Sequence, residues 1–214
     1  MLSSTMSKKQ GRRTQAERRD ATREKILCAA VELLKRKGYA GFRIVDVTKE
    51  AQVSRGAQTH HFPTKNSLLL AALEQVYMES SVSSVAKIQS LKPGENPLDL
   101  LIQEAEEFFL GPSFSIAMDM LNIGDGEDPQ LRAQVQEMSR DHRLPLEARW
   151  IQAFVDVGVD QETAQDVVWM TYTIFRGLAL RALLQKDTNY NLRLISEWRV
   201  FANQKIASKI NHPT

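Results

Sequence analysis

Cysteine is almost absent from this 214-residue sequence, in which Cys28 is the single example. One cysteine excludes an intramolecular disulfide and a cysteine-based zinc site. Cys28 follows Ile26 and Leu27 in an apolar helical pattern, so we expect a small buried core residue, with a redox-sensing thiol as the alternative. Long apolar runs are also absent, since none approaches the roughly 20 residues that span a bilayer. The basic N-terminus lacks the apolar segment of a secretory signal, and we expect a cytoplasmic protein without membrane contact.

The sequence also lacks the motifs of common catalytic sites. It has no Gly-x-Ser-x-Gly, no Walker-type phosphate loop and no Gly-x-Gly-x-x-Gly. His60 and His61 are adjacent, and adjacent residues on a helix point in different directions, so they are not a chelating pair. The carboxylates at 104–107 and 125–128 are expected to be solvated. We therefore expect neither catalysis, nor a metal site, nor a cofactor.

Charge is distributed unevenly along the chain. Residues 1–65 contain 15 Lys and Arg against 6 Asp and Glu, while residues 66–214 contain 13 against 20. The first third therefore carries a net charge of +9 and the remainder −7, although the whole chain carries only +2. This asymmetry favours a module that docks on polyphosphate, attached to a body that does not. The alternative is a chance unevenness of solvated charges.

Helical periodicity, caps and breakers predict an all-α protein of about nine helices. Residues 1–13 are polar and basic, and we expect a disordered arm there. It could reach a minor groove beside the main DNA contact, or it could be a solvated tail. Capping residues predict helix starts at Thr14, Ser54, Thr64, Asp128 and Asp160. Further helices are expected at 97–110, 113–122 and 191–209, and Pro145 is expected to bend or interrupt the helix that follows Asp128.

The segment 43–62 is typical of a helix-turn-helix. Apolar residues spaced by three and four predict a first short helix, and Ser54 can cap a second one. That second helix combines small residues with polar ones, where a core helix would carry apolar ones. Small and polar side chains suit close approach to the DNA major groove. We predict that base edges are contacted by Arg55, Gln58, Thr59 and His60, and phosphates by Ser54 and Arg43.

Four motifs in and around this segment resemble the DNA-binding domain of TetR-type bacterial regulators. They are Ile-Leu-x-Ala-Ala-x-Glu-Leu at 26–33, Gly-Tyr at 38–39, Asp-Val-x-x-x-Ala-x-Val-Ser-x-Gly-Ala at 46–57, and His-Phe-Pro-x-Lys at 61–65. The sequence departs from the family pattern at Gln52, where the turn glycine is usual, at Thr59, where a tyrosine is common, and at Arg43, where a threonine is usual.

The resemblance implies roles for individual residues and for whole segments. It makes Lys65 a phosphate contact, directs His60 towards DNA, and makes His61 structural. It also implies a helix-turn-helix domain at 14–65 followed by a ligand-binding and dimerisation domain at 66–214.

The last two predicted helices carry more apolar surface than one partner helix can cover. The helix at 161–185 is apolar on two sides, and a further apolar stripe follows at 191–209. A helix that is apolar on two sides must be covered on both. We therefore predict a homodimer in which these helices form a four-helix bundle with those of a second copy. The alternative is that both stripes pack within one chain.

The middle of the chain is rich in adaptable apolar residues on short, broken helices, which can leave a cavity. In TetR-like proteins an inducer pocket lies in this region of each subunit. We expect a small, mostly apolar ligand, with a plain close-packed core as the alternative. The candidate ligand-binding residues are Phe108, Phe109, Met118, Met120, Asn122, Trp150, Tyr172 and Arg176.

These observations predict a sequence-specific transcriptional regulator that binds double-stranded DNA. With the resemblance, the expected function is that of a repressor released from a palindromic operator by its ligand. One alternative is a DNA-binding partner of a protein complex with no small-molecule inducer. Another is an enzyme with an appended DNA-binding head, which no catalytic motif supports.

Overall fold

The computed structural model describes residues 14–123 and 128–208, so the predicted basic arm at 1–13 lies outside the described residues. Within these ranges the chain forms nine helices and no strand, which confirms the all-α prediction. The helices are α1 (Gln15–Lys37), α2 (Ile44–Glu50), α3 (Arg55–His61), α4 (Lys65–Ser90), α5 (Leu98–Phe109), α6 (Pro112–Leu121), α7 (Pro129–Asp156), α8 (Gln161–Ala182) and α9 (Thr188–Ala207).

The predicted capping residues begin their helices. In each case the side-chain oxygen accepts a hydrogen bond from the backbone N–H three residues ahead, which satisfies one of the free donors of the first turn. These residues are Thr14, Ser54, Thr64, Asp128 and Asp160. The starts of five helices were therefore readable from local sequence alone.

Helix α7 continues through Pro145 from Pro129 to Asp156. Of the two predicted effects of Pro145, a bend or an interruption, the interruption does not occur. A proline removes one backbone donor, but the helix also packs against α4 and α8. The buried Leu146 and Trp150 follow the proline directly, and their packing holds the helix together.

A single cluster of buried apolar residues forms the core, with members on α1, α4, α5, α6, α7, α8 and α9. Helix α4 packs against α1, α5, α6 and α7. Its buried stripe includes Leu68, Leu69, Ala72 and Leu73, each inaccessible to solvent. No helix in the described ranges is long and apolar enough to cross a membrane.

Polar contacts connect the segment after α1 to α6, and the start of α4 to the start of α7. The backbone N–H of Tyr39, just after α1, donates to the Asp119 carboxylate on α6 at 3.1 Å. The Asn66 amide at the start of α4 donates to the Asp128 carboxylate that caps α7, at 2.6 Å. Gly38 permits the first contact, because a Cβ there would lie 2.3 Å from the Asp119 Oδ2.

Cys28 is exposed on α1. The expectation of a buried core residue is therefore wrong. The apolar stripe of α1 includes its neighbours Leu27 and Ala29, but position 28 is on the outer side of the helix.

The turn between α2 and α3 contains a strained residue. Gln52 has a φ of 55° and is the single described residue other than glycine with a positive φ. A side chain in this left-handed region costs roughly 1–2 kcal/mol, part of which glycine loses again through its greater freedom in the unfolded chain. We expect Gln52→Gly to raise the free energy of unfolding by ~0.5–1 kcal/mol, as measured by urea denaturation. Gln52→Ala keeps a Cβ in the strained position, so an equal gain from that control would contradict this explanation.

Candidate nucleic-acid interface

Helix α3 lies at the surface of the molecule. Residues outside its exposed face fix its position. The Ser54 hydroxyl accepts from the Ala57 N–H at 3.1 Å and fixes the start of α3. Phe62, directly after its end, is buried. Helix α2 is in turn tied to the end of α1 by ion pairs from Lys37 to Asp46, at 2.6 Å, and from Arg36 to Glu50.

The ion pair between Lys37 and Asp46 affects the pKa of the Asp46 carboxyl. The hydrogen bond from Lys37 is the largest of the causes that lower the pKa of Asp46. The charged form of the carboxylate is therefore favoured, and its ion pair joins α2 to the basic end of α1.

The exposed face of α3 carries Arg55, Gly56, Thr59 and His60. Residues four apart on a helix lie one above the other, so Arg55 and Thr59 form one row and Gly56 and His60 the next. The Thr59 hydroxyl donates to the Arg55 carbonyl at 3.0 Å, which leaves its oxygen as an acceptor and its methyl group exposed. Glycine in the middle of this face lets the backbone approach a partner closely.

Gln58 does not belong to this face, and the prediction that it contacts base edges is wrong. Its side chain is only 3% exposed. The amide Nε2 donates to the Phe62 carbonyl at 2.8 Å. Gln58 therefore donates to a backbone carbonyl at the end of α3 that has no partner within the helix. This hydrogen bond holds the Gln58 amide away from solvent.

The three predicted phosphate contacts are all exposed around α3. Arg43 precedes α2 and its side chain makes no capping bond. The Ser54 hydroxyl accepts from a backbone N–H, so its own hydrogen is left to donate. Lys65 begins α4, and its ammonium lies 5.0 Å from the Tyr39 ring centroid. This cation–π contact keeps the charge near the start of α4.

The two adjacent histidines differ in their surroundings. His60 is exposed, whereas His61 is partly buried. Burial, followed by the charges of His60, Arg19 and Arg23, lowers the pKa of His61, so its neutral form is favoured in the basic head. Within the described residues, no group of three or more His, Cys, Asp or Glu could hold a metal ion.

A second candidate site is a cavity of about 490 Å³ between α4, α5, α6, α7 and α8. Its size falls within the usual range of small-molecule sites. Four of the predicted ligand-binding residues line it: Phe108, Phe109, Met118 and Arg176. The aromatic rings form one cluster, in which Phe109 lies 5.1 Å from both Phe108 and Phe114 between ring centroids.

The other four predicted ligand-binding residues lie elsewhere. Met120 and Trp150 are inaccessible to solvent and do not line this cavity, so the structure does not bring them to the candidate ligand site. The Trp150 Nε1 donates to the Ser84 hydroxyl at 2.8 Å, which shows that its polar atom serves the core. Asn122 is exposed and lines a neighbouring cleft of about 500 Å³. Tyr172 is buried beside this cavity rather than lining it.

Sequence reasoning missed the central polar pair of the cavity wall. Arg143 on α7 donates through Nη1 to Glu104 Oε1 on α5 at 3.2 Å. The Glu104 side chain is only 3% exposed. The two residues are 39 positions apart, so no local pattern could have joined them. In the sequence Glu104 belongs to a run of carboxylates that we expected to be solvated, and that expectation is wrong for this member.

Helices α8 and α9 present a broad apolar surface to solvent. Trp169 is 55% exposed and Phe201 is 68% exposed. Other large apolar residues on the two helices or directly after α8 are also exposed, namely Met170, Leu180, Leu183, Leu184, Tyr190, Leu192 and Val200. Trp198 is different, because it is buried and its Nε1 donates to the Thr171 hydroxyl at 3.0 Å. It packs within the chain and does not belong to the exposed surface.

Two short helices joined by a tight turn, with the second helix exposed and fixed from behind, define a helix-turn-helix DNA-binding protein. Comparisons with known proteins agree. The family model described as bacterial regulatory proteins of the tetR family matches residues 26–72. The HTH-type transcriptional regulator CymR of Pseudomonas putida is 44% identical over 176 residues, which are 82% of this chain and 86% of that protein. The chain therefore belongs to the TetR family, and it is a helix-turn-helix transcriptional regulator.

Solved structures share this fold at low sequence identity. A TetR-family regulator from Cytophaga hutchinsonii matches with a TM-score of 0.68 and 16% identity, covering 94% of this chain and 100% of that chain. The multidrug-binding protein EbrR in complex with imidazole matches with a TM-score of 0.55 and 22% identity, covering 90% of this chain and 96% of that chain.

Proposed function

We propose that this regulator is a homodimeric repressor that binds a palindromic operator and is released from it by a small, mostly apolar ligand. In this proposal residues 14–65 form the DNA-binding head and residues 66–214 the ligand-binding and dimerisation body. The observation that carries the proposal is the exposed face of α3, with Arg55, Thr59 and His60 directed away from the core. The family names support DNA binding and transcription regulation, and they point away from an enzyme.

The exposed face supplies different kinds of contact at each position. Arg55 is the strongest candidate for sequence readout, because a guanidinium can donate two hydrogen bonds to the O6 and N7 acceptors of guanine. Thr59 offers an acceptor and a methyl group, which suits a cytosine amino group or a thymine methyl. Arg43, Ser54 and Lys65 surround this face and contact the phosphates, which fix the position of α3 in the groove.

Replacing Arg55 tests the proposed base contact. We expect Arg55→Ala to weaken binding to the selected operator by ~1–3 kcal/mol and to relax the base preference at one position of each half-site. The measurement is fluorescence anisotropy with the operator and with random duplexes of equal length. A loss of equal size on both kinds of DNA would contradict the role of Arg55 in sequence readout.

Lys65→Ala is the matched control, because it also removes one positive charge from the head. A phosphate contact carries no sequence information. Lys65→Ala should therefore weaken binding to operator and random duplexes alike, and it should reduce the slope of log K against log salt by about 1.

The proposed dimer buries the exposed apolar surface of α8 and α9 against the same surface of a second copy. Large exposed patches of this kind mark interaction sites, and a two-fold interface uses the same patch on both copies. Two heads related by this symmetry would present two recognition helices about one helical turn apart. A palindromic operator follows from that geometry.

Helix α6 offers a route from ligand to DNA. Met118 lines the cavity, and the next residue, Asp119, holds the backbone N–H of Tyr39 at the end of α1. A ligand that moves α6 would therefore shift the head relative to the body. Because the coupling is thermodynamic, DNA must weaken ligand binding by the same factor as ligand weakens DNA binding.

A further inference from the structure

Val45 on α2 differs from the other large apolar residues of the head. It is 68% exposed, and it is the single residue of valine size or larger and apolar character that is exposed within the described residues 14–65. The other large apolar side chains of this region are buried or partly buried, and these include its neighbours Ile44 and Val47. Single exposed apolar residues are ordinary on protein surfaces, so the position of Val45 decides whether it serves a contact.

Val45 points away from the two sides of α2 that hold this helix in place. Val47 and Ala51 are buried and mark the side that packs on the core. Asp46 and Glu50 mark a second side, which forms ion pairs with the end of α1. Successive residues of a helix are rotated by about 100°, so Val45 lies about 160° around the axis from Val47 and about 100° from Asp46. Packing within the chain therefore leaves this side chain in solvent.

The first turn of α2 lies beside the proposed phosphate contact of Arg43. Arg43 directly precedes α2 and is exposed, and its side chain makes no capping hydrogen bond. In a helix-turn-helix the first helix crosses the DNA backbone while the second lies in the groove. With Arg43 on a phosphate, the first turn of α2, which contains Val45, is held at the edge of the groove that α3 occupies. The carboxylate of this turn, Asp46, is paired with Lys37 at 2.6 Å, which limits its repulsion of phosphates.

The surroundings of Val45 favour DNA over an apolar protein surface as its partner. Residues 1–65 contain 15 Lys and Arg against 6 Asp and Glu, and this positive charge suits a polyanion. An apolar protein partner would need a patch of several apolar residues, and within the described head Val45 has no large apolar neighbour that is exposed. Among the groups that base edges present in the major groove, the apolar one is the C5 methyl group of thymine.

We propose that Val45 contacts the C5 methyl group of one thymine in each half-site of the operator. The inference rests on the proposed DNA-binding function, and it adds a specificity-determining residue on α2 to those on α3. A β-branched side chain in a helix has one strongly preferred χ1 rotamer, so Val45 loses little conformational freedom when it makes the contact. The contact removes apolar surface of both groups from water, which is favourable in proportion to the buried area.

The test is fluorescence anisotropy on the full chain with duplexes in which thymine is replaced by uracil, a base that differs only in lacking the C5 methyl group. Each thymine of the selected operator is replaced in turn, together with its symmetry-related thymine in the other half-site. At one such pair we expect uracil to weaken binding about ten- to twentyfold, because each buried methyl group contributes about a fourfold gain in affinity. A selected operator with no thymine pair of this kind would overturn the proposal.

Val45→Ala assigns this thymine to Val45. The variant removes exposed methyl groups and places a strong helix former in α2, so we expect its fold to be retained. It should bind the selected operator about ten- to twentyfold more weakly than the unaltered chain. Uracil at the same thymine pair should then change its affinity by less than about twofold, because the two changes remove one shared contact. Val82→Ala makes the same change at a 65% exposed position of α4, and it should keep both the affinity and the full effect of uracil.

Thr59→Ser tests the competing assignment, because it removes the exposed methyl group of α3 and keeps the hydroxyl. If this variant abolished the effect of uracil at every sensitive thymine while Val45→Ala abolished none, the methyl contact would belong to α3 and the proposal would be overturned. Unchanged operator affinity of Val45→Ala would overturn it as well. A chain that selects a palindrome but fails either test at Val45 contradicts only this inference, whereas a chain that selects no duplex contradicts the proposed function and this inference together.

Discussion

Trp169→Glu combined with Phe201→Glu is expected to convert the proposed dimer into monomers and to weaken operator binding by about 10²–10⁴-fold. Both side chains are more than half exposed in the single chain, so neither substitution opens the core. In the dimer, each glutamate would be buried against the same surface of the second copy. An unpaired buried charge is strongly unfavourable. Two separate heads would then lose the gain that comes from linking two half-sites.

Sedimentation equilibrium measures the first effect, and anisotropy with a full operator and with a single half-site measures the second. Val82→Glu is the matched control, because Val82 is an exposed apolar residue on α4, outside the α8–α9 surface. It should leave both the mass and the affinity unchanged. A double variant that still sediments as a dimer would show that α8 and α9 are not the interface.

Trp150→Ala is expected to lower the free energy of unfolding by ~3–5 kcal/mol. The Trp150 side chain on α7 is fully buried, and α7 packs against α4 and α8. Truncation therefore leaves a cavity that the surrounding helices can fill only in part. It also leaves the buried Ser84 hydroxyl without its indole donor. Urea denaturation followed by far-ultraviolet circular dichroism measures the loss.

Trp150→Phe separates the two contributions. It keeps most of the apolar volume but removes the Nε1 donor, so we expect a smaller loss of ~1–3 kcal/mol. If Trp150→Ala instead left the stability nearly unchanged, the tryptophan would not be a core residue, and its original interpretation as a ligand contact would have to be reconsidered.

Most of the fold could be predicted from local features of the sequence. A capping serine or aspartate acts on a backbone N–H three residues away, so Ser54 and Asp160 could be recognised without any tertiary information. The apolar stripe of α4 was equally readable, because its spacing of three and four places every member on one face. Pro145 shows where this reasoning stops. Its effect on α7 depends on packing against α4 and α8, which lie far away in sequence.

The candidate sites were less predictable for the same physical reason. Helix α3 has seven residues, which is too few for periodicity to show which polar side chains face inwards. Gln58 was therefore grouped with Arg55 and Thr59, although its amide closes the end of the helix. The pair formed by Glu104 and Arg143 depends on how α5 and α7 approach each other. Each member alone resembles an ordinary surface charge.

The most direct test of the central claim, that α3 reads DNA as one half of a symmetric pair, is selection of bound duplexes from a random pool by the full chain. We expect enrichment of one palindrome with half-site centres about one helical turn apart or slightly more, and we expect Arg55→Ala to lose preference at one position of each half-site. No enriched sequence, or an enriched sequence without two-fold symmetry, would contradict the account.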